Sequence, residues 1–397
     1  MKYTNVILLL ILLFPGTAVS MDNIRNEIVH MWEAKKPDPN LYASGFESIN
    51  NLSDSLIFKS NEATGGYNHH PQIVHFKNMF FSMWSNHRYG EDLPGQRVLY
   101  ATSYDAITWS QPRELFQSLS PEENRKYSRL DNKPQYVISS DKWIIKGKKL
   151  YARVLLGKLF KKKNDNHKKY YGHGYIYREV GINSVGNFIF TKKIGKEGFV
   201  TELSNVSLSI KPNFEKEKVT YDFYKYKDIN LSETTHYKTN NGDYIALSRD
   251  ENYSHRMFVS YSKDGISWEK PKPTDIPDSP SKSITLTLPN GYILLIGNQV
   301  APHFDNPSHA HYNRDPLMVS VSYNGYIFSK AYAIKAGQQK YTVPESKVYG
   351  RGGGAQYPSA ILINDKVYVI YSMGKEDIWV SSFCLNDIGI ILKTPSK

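Results

Sequence analysis

The chain has 397 residues, with 50 Lys and Arg against 38 Asp and Glu and a formal net charge of +12. That balance favours an anionic partner, and the single cysteine, Cys384, excludes an internal disulfide. No CxxC, P-loop or GxGxxG motif is present. GRGGG at 350–354 lacks the Lys-Ser/Thr that a phosphate loop requires.

Residues 1–20 open with Lys2, continue through an apolar run from Val6 to Phe14, and end in the small residues Ala18-Val19-Ser20. This order predicts a cleaved secretory signal, with delivery to a periplasm or the exterior. The apolar run is short for a membrane span, and no later run is long enough, so no membrane segment is expected after cleavage. Without disulfides, residues 22–397 have to be held by their core, and they are numerous enough to bury a large one. Cys384, in the apolar run VSSFCL, reads as buried packing.

Beyond the leader, helical periodicity is scarce. What recurs is an apolar strand, a polar turn and an aromatic-rich strand: QIVHFKNMFFSMWS, WIIKGKKLYARVLLG, TNNGDYIALS, TLPNGYILLIGN and AILINDKVYVIYS. Asn, Asp, Gly and Lys supply the turns, and β-branched and aromatic residues supply the strands. GKLFKKKNDNHKKYYGHG, which carries the basic clusters Lys161–Lys163 and Lys168–Lys169, reads as a solvated loop insertion. A second repeat, Ser-x-Asp-x-x-x-Trp, occurs in SYDAITW (Ser103 to Trp109) and SKDGISW (Ser262 to Trp268), and SYNGYIF (Ser322 to Phe328) is a weakened copy. Hairpins spread along the chain predict an all-β fold, a single β-propeller of four-stranded antiparallel blades. At about fifty residues per blade, the chain accommodates seven blades, the favoured number, or six. No linker divides it, so one domain is expected over 22–397.

Between Gly65 and Val98 lie His69, His70, His75 and His87, with Glu91, Asp92 and Arg97 close by. Imidazoles titrate near neutral pH, so the cluster is a candidate for proton transfer. His69 or His70 is the candidate base, with His87 beside it, whereas His75 in IVHF reads as structural. Pro71 is expected to hold His70 extended, so that the paired rings point to opposite faces and only one enters a site. Tyr136, in DNKPQYVISS, and Arg153, in KLYARVLLG, follow as candidate acid and carboxylate clamp. HFDNPSHAH, with His303, Asp305, His309 and His311, has metal-ligand residue types but reads as a substrate-facing loop, so no metal or cofactor is expected beyond a structural cation.

The Ser-x-Asp-x-x-x-Trp copies match the Asp-box, and the chain from Gly65 onward resembles the sialidase-like propeller superfamily. In that superfamily the box is structural, so Asp105 and Asp264 receive no catalytic role. The resemblance implies carboxylate-binding arginines shortly upstream of boxes, here Arg256 and Arg314. It also implies a tyrosine nucleophile in the last blades, here Tyr357, and an acid near Asp92. Where the family has Arg-Ile-Pro, this chain has His69-His70-Pro71, and imidazole cannot reproduce a guanidinium fork. The pattern YNHHP…WSNH…EDLPGQ is similar to the ulvan lyases, seven-bladed propellers that cleave rhamnosyl-glucuronate linkages. That likeness implies elimination at a uronate: an Arg steadies the enolate while His69, His70, His87 and Tyr136 move protons. Arg153, Arg256, Arg314 and Tyr357 would bind the substrate in a central funnel. The expectation is therefore an exported monomeric enzyme acting on an acidic oligo- or polysaccharide, with nucleic acid not a partner. The alternatives are a sialidase-type or rhamnosidase-type hydrolase and a non-catalytic glycan-binding propeller.

Overall fold

The computed structural model describes residues 28–118, 135–161, 168–181, 189–194, 229–300, 314–344 and 353–392. The expected leader, the HFDNPSHAH segment and the Tyr136 side chain lie outside the described residues.

β1 (Ser53–Phe58) comes first, and four consecutive strands then make a blade: β2 (Tyr67–Phe76), β3 (Met79–His87), β4 (Arg97–Ser103) and β5 (Arg113–Phe116). The order repeats in β6 (Gln135–Lys146), β7 (Lys149–Lys161), β8 (Lys168–Val180) and β9 (Ile189–Ile194). A third blade holds β10 (Leu231–Lys238), β11 (Tyr244–Asp250), β12 (Arg256–Ser262) and β13 (Lys272–Pro277). A fourth holds β14 (Ile284–Thr287), β15 (Ile293–Gly297), β16 (Leu317–Ser322) and β17 (Phe328–Lys335). The last has β18 (Ala355–Ile363), β19 (Lys366–Met373) and β20 (Asp377–Cys384), and β1 pairs with β20 to complete it.

The described residues thus form an all-β propeller of five four-stranded blades, which corrects the expected seven or six. Inner strands begin at Tyr67, Gln135, Leu231, Ile284 and Ala355, each separated from the next by more than the about fifty residues assumed per blade. The basic segment is corrected in part: residues 157–161 belong to β7 and 168–174 to β8, so these ends of the expected loop insertion are strand.

Blades meet through apolar layers, because each twisted sheet has to bury both faces. Phe81, Met83, Leu150 and Val154 pack between the β2–β5 and β6–β9 blades. Ile57, Trp84, Leu99, Ile370 and Val380 join the β2–β5 blade to the last one. Val319, Val321, Val369 and Tyr371 fill the next seam, and Ile245, Leu247, Leu295 and Phe328 the one after. β2, β6, β10, β14 and β18 contact one another across blades, so they face the axis.

The three boxes share one geometry on the turns from third to fourth strand. Asp105 Oδ1 accepts the N–H groups of Ile107 and Thr108, both at 2.8 Å, and the Ser103 hydroxyl at 2.9 Å. Asp264 does the same with Ile266, Ser267 and Ser262, and Asn324 with Tyr326, Ile327 and Ser322. Backbone N–H donors favour the charged form and hold both Asp105 and Asp264 at about 2. The next residue has positive φ in each copy, +59° at Ala106, +71° at Gly265 and +80° at Gly325.

The N-terminal segment straps the outside. Val29 bridges to Thr274, Trp32 to Phe328 and Ser48 to Ala333, so the chain crosses the edges of β13 and β17 before entering β1. Asp275 Oδ1 anchors it by accepting the N–H of Met31 at 2.7 Å and of Trp32 at 3.0 Å. Cys384 is half-buried at the end of β20 rather than sealed in a core.

Trp84 is fully buried at the seam between the β2–β5 blade and the last one, with its indole N–H on Asn68 Oδ1 at 3.1 Å. Trp84→Ala is expected to lose about 3–5 kcal/mol in denaturant unfolding, the range for a large core truncation. A loss below about 1 kcal/mol would show that the seam does not hold the blades together.

Candidate functional site

Three inner strands carry the same irregularity at the same level. On β2, His69 pairs with Ser85 and Gln72 with Met83, so His70 and Pro71 together oppose Trp84. On β10, Glu233 and Thr234 oppose Ser248; on β18, Tyr357 and Pro358 oppose Tyr371. Each is a bulge whose first residue is left-handed, with φ of +53° at His70, +50° at Glu233 and +56° at Tyr357. Non-glycine residues rarely adopt this region, at a cost on the order of 1–3 kcal/mol, and such strain clusters at functional sites. The bulge turns these side chains out of the strand's alternation. It also corrects the expectation for Pro71: His70 is not extended, and the His69 and His70 rings lie 4.6 Å apart, both against Tyr357.

The turned-out side chains form one network. Tyr357 OH accepts an N–H from Arg249 at 3.2 Å and is also hydrogen-bonded to Glu233. Arg249 binds Glu233 at 2.9 Å and Glu251 at 3.4 Å. Arg314 lies over the Tyr357 ring at 5.1 Å, with Nη2 on the Pro280 carbonyl at 2.9 Å and Nη1 on Gln356 Oε1. Burial opposes charge on both Tyr357 and Glu233. It raises the Tyr357 phenol well above its ordinary value, with Glu233 adding to the effect and Arg314 and Arg249 opposing it. For Glu233, Arg249 and the Tyr357 hydrogen bond outweigh burial and hold the carboxyl below its ordinary value. The resting pair is therefore a phenol beside a carboxylate. Asp278, fully buried near Arg249 and Arg314, is pushed well above the usual carboxylate range by burial.

A second group stands on the β2 side. His69 is fully buried, with Nδ1 2.7 Å from Ser372 Oγ; burial, then Lys375 and His70, hold it well below the ordinary histidine value. His70 Nε2 lies 3.2 Å from Glu91 Oε1, and Lys375 Nζ donates to Glu91 Oε2 at 2.5 Å. Burial disfavours charge on Glu91, but Lys375 and His70 outweigh it and hold the carboxyl well below its ordinary value. Asp92 is pushed up to about 7 by burial and by Glu91. His87 positions this loop: its Nδ1 accepts the N–H groups of Tyr89 at 3.0 Å and Gly90 at 3.2 Å, and burial lowers its titration. One donor atom from each of His69, His70 and Glu91 lies within 4.8 Å of the others, a spacing of metal-binding type.

Of the residues read from sequence, the structure brings together His69, His70, Arg314 and Tyr357, and gives His87 the loop beneath Glu91 and Asp92. Arg153 is engaged elsewhere, paired with Asp141 and 4.2 Å from the Tyr175 ring centroid. Arg256 starts β12 opposite Pro277, one strand further from the axis than Arg249. Tyr136 is on inner strand β6, and its side chain is outside the described residues. Arg249, Glu233 and Lys375 went unread, and Glu91 was noted beside the histidines without a role. Spacing held a signal for Glu233: Phe76, Lys238 and Ile363 end their inner strands five or six residues after His70, Glu233 and Tyr357.

Two family models match this sequence: a BNR repeat-like domain over residues 214–369 and a BT_1020-like N-terminal beta propeller over 55–236. No curated protein matches it. Among solved structures, a sialidase superposes with a TM-score of 0.65 at 18% identity, over 90% of this chain and 35% of its own. Trypanosoma rangeli sialidase in complex with sialic acid gives 0.51 at 14% identity, over 87% of this chain and 60% of its own. The chain thus spans about a third of the first and three fifths of the second, and at such identities the likeness is one of fold. Each family model covers less than half of the chain, and together with the shared fold they make it similar to BNR-repeat, sialidase-like β-propellers.

Glu233→Ala leaves the buried Arg249 guanidinium with Glu251 as its remaining carboxylate. Unfolding measurements are expected to show a loss of about 2–3 kcal/mol, at or below the usual penalty for breaking a buried pair because Glu251 still compensates. An unchanged stability would mean that the pair is already solvated.

Proposed function

We propose that the protein is a glycoside hydrolase that releases a carboxylate-bearing sugar from an acidic glycan, with Tyr357 as nucleophile. One observation carries this reading: the Tyr357 hydroxyl is held between the Glu233 carboxylate and the Arg249 guanidinium, with Arg314 over its ring. A phenol is a weak nucleophile until a base removes its proton, and Glu233 is charged and in hydrogen-bond contact to do so. Arg249 and Arg314 favour the phenolate and present donors to a sugar carboxylate.

In the proposed reaction, Tyr357 Oη attacks the anomeric carbon, Glu233 takes the phenolic proton, and the bond to the leaving oxygen breaks. Asp92 protonates that oxygen, since a carboxyl that titrates at about 7 still holds its proton in weakly acidic solution. Water then cleaves the tyrosyl–sugar bond, giving a proton to the Asp92 carboxylate while Glu233 returns its proton to Tyr357 Oη, so all three groups regain their starting states. One of the solved sialidases that share the fold holds sialic acid, itself a carboxylated sugar. The leader read from residues 1–20 would bring the enzyme to glycans outside the cytoplasm.

Elimination at a uronate has weaker support. The His69 ring is fully buried with Nδ1 on Ser372, and His70 is engaged by Glu91, so neither stands as a free base.

The test is turnover on aryl glycosides of sialic-acid-type and uronic sugars and on acidic oligosaccharides, following both reducing ends and unsaturated product. Tyr357→Phe is expected to lower kcat by about 10²–10⁴-fold, the range for a lost proton-transfer partner, while glycan affinity persists. Ultraviolet-absorbing product, or full turnover by Tyr357→Phe, would overturn the reading; retained binding with no turnover by the parent protein would make it a glycan-binding propeller. A separate expectation concerns pH. Asp92 acts protonated, so kcat/KM should fall as pH rises through about 7, and Asp92→Asn should remove that limb.

A further inference from the structure

We propose that His69, His70 and Glu91 form a divalent-cation site of the zinc type, placing a third fixed positive charge beside Arg249 and Arg314. Two imidazoles and one carboxylate are a three-ligand zinc set that leaves a fourth position open. One donor from each residue already lies within 4.8 Å of the others. With bonds of about 2.1 Å, tetrahedral donors stand about 3.4 Å apart. His70 Nε2 and Glu91 Oε1, at 3.2 Å, already meet that spacing, so closure asks for movement of about 1 Å at the His69 edge.

The second observation is the state of the rings. Ser372 Oγ engages His69 Nδ1 at 2.7 Å, the outer contact that fixes the orientation of a metal-bound imidazole. It leaves His69 Nε2 fully buried with no hydrogen-bond partner, and His70 Nδ1 is unpartnered too. A buried nitrogen without a partner is costly, and an ion at Nε2 supplies one.

Lys375 is the competitor. Its ammonium donates to Glu91 Oε2, so Glu91 binds the ion through Oε1 alone, and the nearby positive charge weakens the site. Removing that charge strengthens it. The fourth position, open toward half-exposed His70 and Glu91, takes water or a ligand carboxylate. Only this last role rests on the proposed hydrolysis; the binding of an ion does not.

The experiment is calorimetric titration of the chelator-stripped full chain with Zn²⁺, with Co²⁺ absorption reporting coordination geometry. The wild type is expected to bind one ion with a four-coordinate Co²⁺ spectrum. His70→Ala and Glu91→Gln, each checked for native circular dichroism, should weaken binding at least tenfold, and Lys375→Met should tighten it. Absence of stoichiometric binding overturns the proposal, as does binding that both His70→Ala and Glu91→Gln leave unchanged, because the ion then sits elsewhere. If one variant fails to fold, the other and Lys375→Met decide: a weakened site with the first and a tightened one with the second support it, and no change in either overturns it. Turnover without zinc binding sinks this inference alone, and zinc binding without turnover of any acidic glycoside sinks only the hydrolase reading.

Discussion

The site depends on a backbone constraint repeated on three blades: one extra residue in the innermost strand, held in the left-handed region. In a regular strand, side chains alternate between the two faces of the blade, and neither face looks along the axis. The bulge breaks that alternation at His70, Glu233 and Tyr357, and the convergence of blades does the rest. None of the three is glycine or asparagine, so the conformation is held by the surrounding sheet rather than by local preference. At two of the three bulges the strain is offset by a large buried partner opposite, Trp84 on β3 and Tyr371 on β19, whereas Ser248 faces the third.

Electrostatics at the centre differ from those of the chain as a whole. The excess of lysine and arginine over acid is a bulk property, whereas the axial groups are paired one by one. Arg249 has Glu233 and Glu251, Arg314 has Gln356 and the Pro280 carbonyl, and Lys375 has Glu91. Such pairing fixes guanidinium forks in place before any ligand arrives, and it reserves the positive field for a group that can share donors already aimed. The same pairing separates two carboxyls next to each other in sequence. Lys375 and His70 keep Glu91 charged, and that charge helps keep Asp92 protonated to about 7.

The architecture was largely legible in sequence because it is written in local terms. The five quoted segments each hold the turn between the first two strands of one of the five blades, and the three box copies sit on the turns their chemistry demands. The blade number was missed because an average repeat length was set against inner strands spaced more widely than that. The site was half legible. His69, His70, Arg314 and Tyr357 stand out by residue type and by position beside prolines or boxes. Arg249 did not, since the nearby Arg256 has the same spacing credentials, and only strand order tells which lies nearer the axis. Lys375 is invisible locally: it joins the site because the β19–β20 turn tucks against β2, through the Asn68 N–H on the Lys375 carbonyl at 2.7 Å.

The strand that completes the last blade precedes all the other described strands, with Ser53 registered against Ser382. During synthesis, β1 emerges ahead of the other strands described and waits for β20, the last of them. Until then the growing blades expose an unpaired edge, and the β1–β20 clasp closes the longest sequence separation of any strand pair described, the kind of contact that is slow to form. A chain broken off before β20 would therefore lack its fastener as well as its final sheet, and would present quality-control proteases with an open ring.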